Sequence, residues 1–209
     1  MSRLPMFPLG TVLLPGGLLP LHVFEPRYRQ MLDDCLIRSD PPEFGQVLIT
    51  HGREAGGGDQ RALVGTVAQV LQVEPLDDGR SALLAVGTRR IRITEWLPDD
   101  PYPVAETDDW PDEDDMATDF ADRLAATMTR VRAARDLAAQ LADIAAADAA
   151  ELADVSDDPV LATYHLAALA PIGPADLYKL LSATGPSERL QRLETILDDV
   201  EAMLKFRLS

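Results

Sequence analysis

Cys35 is the single cysteine, and His22, His51 and His165 are the three imidazoles that could activate it. A thiol paired with an imidazole base would make a small hydrolase. Cys35, however, recurs at helical spacing with Tyr28, Met31, Leu32 and Leu36, which places it on an apolar helix face. There a cysteine is expected to be a buried, inert small hydrophobe. His22 stands in a Leu-rich extended segment and His165 in an Ala-rich helix, so both read as structural. The run Asp112-Glu113-Asp114-Asp115 offers carboxylates to a divalent ion, but it lacks the Gly turn and terminal Glu of a calcium loop and reads as a solvated acidic linker. Arg89, Arg90 and Arg92 form a local basic cluster that could meet phosphate, although an exposed strand face paired with carboxylates is the commoner use.

Other chemistries fail on residue type. A P-loop needs a Lys directly after a Gly, and neither Lys179 nor Lys205 follows one. Gly56-Gly57-Gly58 lacks the strand-to-helix setting of a dinucleotide site and reads as a hairpin loop. There is no Gly-x-Ser-x-Gly elbow and no HExxH zinc helix. No metal and no cofactor are expected.

These residues belong to a chain of 209 residues with a formal charge of −16 and a pI near 4.4. That balance opposes nucleic acid and anionic membrane as partners, because both are bound through Lys and Arg. Leu4 to Phe24 carries no Asp, Glu, Lys or Arg, yet seven of its 21 residues are Pro or Gly. Prolines break a membrane helix, so the run reads as buried strand and turn in a soluble, cytoplasmic protein. Charge is uneven: residues 1–98 are almost neutral, whereas 99–122 hold 11 acidic residues and no basic one.

The elements that must position these groups divide at about the same point. Met6 to Leu14 and Leu18 to Val23 read as extended segments around the Pro15-Gly16-Gly17 turn. Pro26 to Arg38 reads as a helix with Pro at its first position. Phe44 to Thr50 reads as a strand, and Leu63 to Leu76 with Ser81 to Val86 as a hairpin around Asp77-Asp78-Gly79-Arg80. Arg89 to Leu97 follows, with Ile91 and Ile93 on one face and Arg90, Arg92 and Thr94 on the other. Beyond, Met116, Phe120, Leu124, Met128 and Val131 predict one buried stripe of a long helix, continued by Leu137, Leu141 and Ile144. Ser156-Asp157-Asp158-Pro159, Gly173-Pro174 and Gly185-Pro186-Ser187 each open a further helix. In the last, Leu190, Leu193, Ile196, Leu197, Val200 and Leu204 are expected inward. The fold class is α+β, with a β-rich lobe over 1–110 containing one helix and an all-α helical bundle over 111–209.

The stretch LPMFPLGTVLLPGGLLPLHVFEPRYRQML resembles the opening of the Lon-protease substrate-binding (amino-terminal) domain family. FGQVLI, the loop from Glu54 to Gly58, VGT at Val64 to Thr66, DGR at Asp78 to Arg80, and VGTRRIRI follow in that family's order. LATYHLAALAPIG and LYKLLSATGPSERLQRL resemble its helical subdomain. The resemblance implies a PUA-like pseudo-barrel followed by helices, together recognising polypeptides. Neither the ATPase nor the Ser-Lys protease module of a full Lon protease is present in these 209 residues, so a stand-alone, non-enzymatic member is expected.

The expected function is therefore binding of unfolded or tagged polypeptides, as an adaptor in protein quality control working with a protease or chaperone. Leu14, Leu18, Leu19, Leu21 and Phe24 are the candidate apolar surface, with core packing as the competing reading. Glu25, Arg27 and Tyr28 are a candidate polar anchor, with an internal salt bridge as its competitor. Two alternatives remain open at this point: a hydrolase using Cys35, and an RNA-binding module using Arg89, Arg90 and Arg92.

Overall fold

The computed structural model describes residues 2–52, 58–77, 79–113, 116–141 and 155–208. The chain divides into two compact units, Met1–Pro111 and Asp112–Ser209. Among the described residues the first holds six strands and one helix: β1 (Ser2–Leu9), β2 (Leu18–Val23), α1 (Pro26–Arg38), β3 (Glu43–His51), β4 (Gln60–Pro75), β5 (Ser81–Trp96) and β6 (Val104–Asp109). The sheet order is β2-β5-β4-β3-β1-β6, and β6 returns to pair with β5. Five strands thus close a small barrel and β2 stands outside the ring. β5 serves both neighbours along one edge: Ser81 to Val86 pair with β2, and Ile91 to Trp96 with β6.

The expected hairpin turn forms, with Gly79 at φ +78 and its amide donating to the Leu76 carbonyl at 3.0 Å; Asp78 lies outside the described residues. Ser81–Val86 and Arg89–Leu97, expected as separate strands, are one 16-residue strand. β6 lies inside the acidic stretch 99–122, where no strand was expected. Its charges alternate, so Ala105 and Thr107 face inward while Glu106 and Asp108 sit on the other side. A barrel core of Leu4, Met6, Val47, Val67, Ile91, Ile93 and Ala105 forms one cluster. The other packs α1, through Tyr28, Met31, Leu32 and Cys35, against Phe7, Leu19, Val23, Phe44 and Leu83.

The first strand ends at Leu9, five residues short of expectation. Beyond it, side chains rather than a neighbouring strand satisfy the buried backbone. The Leu13 amide donates to Gln46 Oε1 at 2.9 Å, Gln46 Nε2 donates to the Thr11 carbonyl at 2.7 Å, and Thr66 Oγ1 donates to the Leu13 carbonyl at 2.6 Å. Gln46 and Thr66 are both buried for this purpose, since an unpaired buried amide or carbonyl costs about 1–3 kcal/mol.

The described residues of the second unit form α2 (Phe120–Leu141), α3 (Pro159–Leu169), α4 (Pro174–Leu181) and α5 (Pro186–Leu208). Asp158 caps α3 as its sequence requires, accepting from the amides of Val160 and Leu161 at 2.9 and 3.0 Å. α2 and α5 run parallel, laced by Arg123–Glu194 at 2.8 Å, Arg130–Asp198 at 2.7 Å and Arg130–Glu201 at 2.9 Å. The buried stripe of α2 is Phe120, Thr127, Val131 and Ala134. Met116 precedes the helix and is exposed, and Leu124 and Met128 only flank the stripe. Ile144 lies outside the described residues. On α5, Leu190, Leu193, Leu197 and Leu204 are buried as expected. Ile196 and Val200 are half-buried and line a groove of about 380 Å³ with Asp176, Lys179 and Arg192.

Glu188, in the first turn of α5, accepts from the Thr184 amide and hydroxyl, each at 2.7 Å, which ties the start of the helix to the residue two before it and places a carboxylate at the positive end of the helix dipole. Those bonds, amide first, and then Arg192 hold its carboxyl down at about 2. Its folded pKa lies below the unfolded value, so the stabilisation is present above about pH 4.5 and is lost as pH falls towards 2. With the side chain about a third exposed, roughly 1–2 kcal/mol is expected after solvent screening. Urea melts of the native chain and of Glu188→Gln between pH 5 and 2 check this. The two should converge at the acid end.

Candidate functional site

β2 forms because Leu18-Leu19-Pro20-Leu21-His22-Val23 is bounded by a Gly-Gly turn before it and by Pro26 after it. Alternation along the strand sends Leu19 and Val23 into the core while Leu18, Pro20, His22 and then Phe24 face outward. Leu18 is 64% and Phe24 60% exposed. On the neighbouring strand, Val86, Leu84 and Ala82 stand opposite Leu18, Pro20 and His22, with Gln69, Gln72 and Glu74 of β4 beyond them. The outer face of this three-stranded ribbon is an apolar strip with a polar border. A shallow concavity of about 400 Å³ lies on it, lined by Pro20, His22, Leu84, Ala82, Gln72 and Glu74. Leu71, 52% exposed, bulges from β4 beside it.

The candidates read from sequence therefore part company. Leu14 and Leu19 belong to the core at 4% and 6% exposure. Tyr28 does too: it stacks on Phe7 with ring centroids 4.1 Å apart, and burial pushes its hydroxyl up to about 12. These three are corrected from surface to interior; α1 packs its Tyr28 face onto the sheet, and the period of two in β2 turns Leu19 inward. Leu21 is half-buried. Glu25 and Arg27 form the internal salt bridge that competed with the anchor reading, Nε to Oε2 at 3.0 Å, with the guanidinium 4.5 Å from the Tyr28 ring centroid. Leu18 and Phe24 remain as surface residues. Sequence reading missed Leu84 and Val86, whose signal was a strand, Ser81 to Val86, that is apolar on both faces.

The catalytic and basic candidates are committed elsewhere. Cys35 is 3% exposed, and burial, then Asp34, pushes its thiol up to about 12, away from the thiolate a nucleophile needs. His22 and His51 are exposed, and His165 Nδ1 accepts from the Ser156 amide at 3.1 Å. Arg89 is bound to Glu43 at 2.8 Å and Asp109 at 3.0 Å. Arg90 and Arg92 lie 4.3 and 3.6 Å from the Trp110 ring centroid. Asp112, read as part of a solvated linker, pairs with the buried Arg189 and accepts from the Tyr164 hydroxyl at 2.9 Å. Asp114, Asp115, Gly56 and Gly57 lie outside the described residues. Among the described residues no group of three or more His, Cys, Asp or Glu is placed to hold a metal ion, and no helix is long and apolar enough to cross a membrane.

The family model of the ATP-dependent protease La (LON) substrate-binding domain matches residues 3–199. The chain belongs to this family. The Lon N-terminal domain protein from Xanthomonas campestris superposes with a TM-score of 0.70 at 28% identity, covering 93% of this chain and 98% of that one. The N-terminal domain of the Mycobacterium avium complex Lon protease shares the fold, with a TM-score of 0.67 at 19% identity over 95% and 99% of the two chains. Lon protease 2 of Herpetosiphon aurantiacus is 29% identical over 200 residues, 93% of this chain. The LON peptidase N-terminal domain and RING finger protein C14F5.10c of Schizosaccharomyces pombe is 32% identical over 114 residues, 49% of this chain. The matched region is 23% of each of these two proteins.

The two VGT tripeptides that carried the resemblance to Lon domains have a physical basis here. A Cβ on Gly65 would fall on the Gln46 carbonyl, and one on Gly87 on the Leu14 carbonyl. Each glycine lets another strand or turn approach its backbone.

Proposed function

We propose that this Lon substrate-binding domain recognises unfolded or tagged polypeptides on the outer face of the β2-β5-β4 ribbon, as an adaptor that presents them to a protease or chaperone. The observation that carries this reading is the outward apolar strip of Leu18, Phe24 and Leu84 on a domain whose family is defined by substrate binding. Large apolar side chains exposed together mark interaction surfaces rather than cores. Glu25 and Arg27 fix the start of α1 beside Phe24, and so act as framework rather than contact. Catalysis has no comparable support, because the buried Cys35 thiol is tuned away from reactivity.

The test is fluorescence anisotropy of a labelled, permanently unfolded polypeptide titrated with this protein, beside its folded counterpart. Selective binding in the micromolar range, about −8 kcal/mol, is expected. Leu18→Asp should weaken it about ten-fold while leaving stability within roughly 0.5 kcal/mol, since the side chain is exposed. Equal affinity for the folded and unfolded forms, or none for either, would overturn the reading.

A further inference from the structure

We infer that the open edge of β2 is a template on which a bound polypeptide adds as an extended strand, so that recognition reads the substrate's backbone as well as its apolar side chains. This rests on the proposed polypeptide recognition and specifies the form the substrate takes. Among the described residues β2 has one strand neighbour, β5, and their register runs without a shift from Leu18↔Val86 to Val23↔Ser81. The Gly87 amide donates to the Gly17 carbonyl at 2.8 Å. In an antiparallel pair hydrogen bonding alternates, so Leu19, Leu21 and Val23 turn their backbone groups to β5. Leu18, Pro20 and His22 then turn theirs to the open edge. Among the described residues no other hydrogen bond reaches these three backbones, and all three residues are exposed.

Pro20 fits this parity. A proline without an N–H costs nothing at an edge strand's outward position, and there it discourages indiscriminate pairing. The edge thus presents donors at Leu18 and His22 and acceptors at Leu18, Pro20 and His22. An added strand would satisfy them with alternate residues of its own and would extend the strip of Leu18, Leu84 and Phe24 by its apolar positions. The substrate class is an extended segment alternating apolar and polar residues. Folded chains, whose backbone groups are already paired, are excluded on the same ground.

The experiment uses a fluorescein-labelled decapeptide alternating Val and Ser, and two versions N-methylated on either the Val or the Ser positions. N-methylation removes a donor without removing a side chain. The alternation pins the register, because a one-residue slip turns every apolar side chain to the other face. One methylated version should lose at least ten-fold in affinity and the other should bind as the parent does. Pro20→Ala, which adds an outward donor, should tighten the parent about five-fold, the worth of one hydrogen bond. Equal binding of both methylated versions and the parent overturns strand addition and leaves polypeptide recognition standing. Absence of binding by the parent and by the permanently unfolded polypeptide overturns both.

Discussion

Arg189→Ala is expected to destabilise the helical unit by about 3–5 kcal/mol, the cost of removing one partner from a buried ion pair. The Arg189 side chain is fully buried. Its guanidinium donates to the Tyr164 hydroxyl at 2.6 Å, to Thr163 Oγ1 at 2.9 Å, to the Leu180 carbonyl at 3.3 Å and to Asp112. It also stacks 3.6 Å from the Tyr164 ring centroid. Truncation would strand a carboxylate, two hydroxyls and a carbonyl around a cavity, each without the guanidinium donor that compensated its desolvation. Urea denaturation followed by circular dichroism at 222 nm measures the loss. A change below about 1 kcal/mol would show that the network is not what holds these helices together. A second variant separates charge from packing. Combining Arg189→Met with Asp112→Asn removes both charges and keeps the volume, and it should recover part of the stability that Arg189→Ala loses.

None of that network was legible in the sequence. Ser187-Glu188-Arg189 at the start of a helix looks like a solvated first turn, and the partner that pulls Arg189 inside lies 77 residues away in an acidic run. By contrast, β2, α1, α3 and α4 could be bounded from the sequence, because Pro and Gly punctuate each of them locally. β6 was hidden by its charges: three of its six residues are acidic, and only pairing with β1 and β5 makes a strand of them. The candidate surface was half legible. Both apolar faces of β2 looked alike, and the partition of Leu18 from Leu19 depends on β5 fixing the register. Leu14 was drawn inside by Gln46 and Thr66, polar residues whose pairing with Thr11 and Leu13 has no local signature. What remained readable was composition and period, with the pairing of Arg89 to carboxylates legible as a kind of contact; what escaped was the identity of the partners in long-range polar contacts.

Gly87→Ala tests whether the domain's framework and its candidate surface are one structure. In a strand interior the exchange of Gly for Ala ordinarily stabilises, by limiting the unfolded chain and supplying a side chain. Here the opposite sign is expected, at about 3–4 kcal/mol. The new methyl would fall on the Leu14 carbonyl and meet Leu13 Cγ at 3.1 Å, which costs about 1–3 kcal/mol as overpacking. Relief requires the Pro15-Gly16-Gly17 turn to move away. That movement breaks the bonds from the Gly16 amide to the Gly87 carbonyl and from the Gly87 amide to the Gly17 carbonyl, both 2.8 Å, at roughly 1 kcal/mol each. The same turn delivers Leu18 to its place opposite Val86, so the variant should also bind the alternating peptide more weakly, even under conditions where it remains folded. A Gly87→Ala protein as stable as the parent would mean the turn yields without strain. A destabilised protein with unchanged peptide affinity would separate the turn from recognition and move the binding surface away from β2.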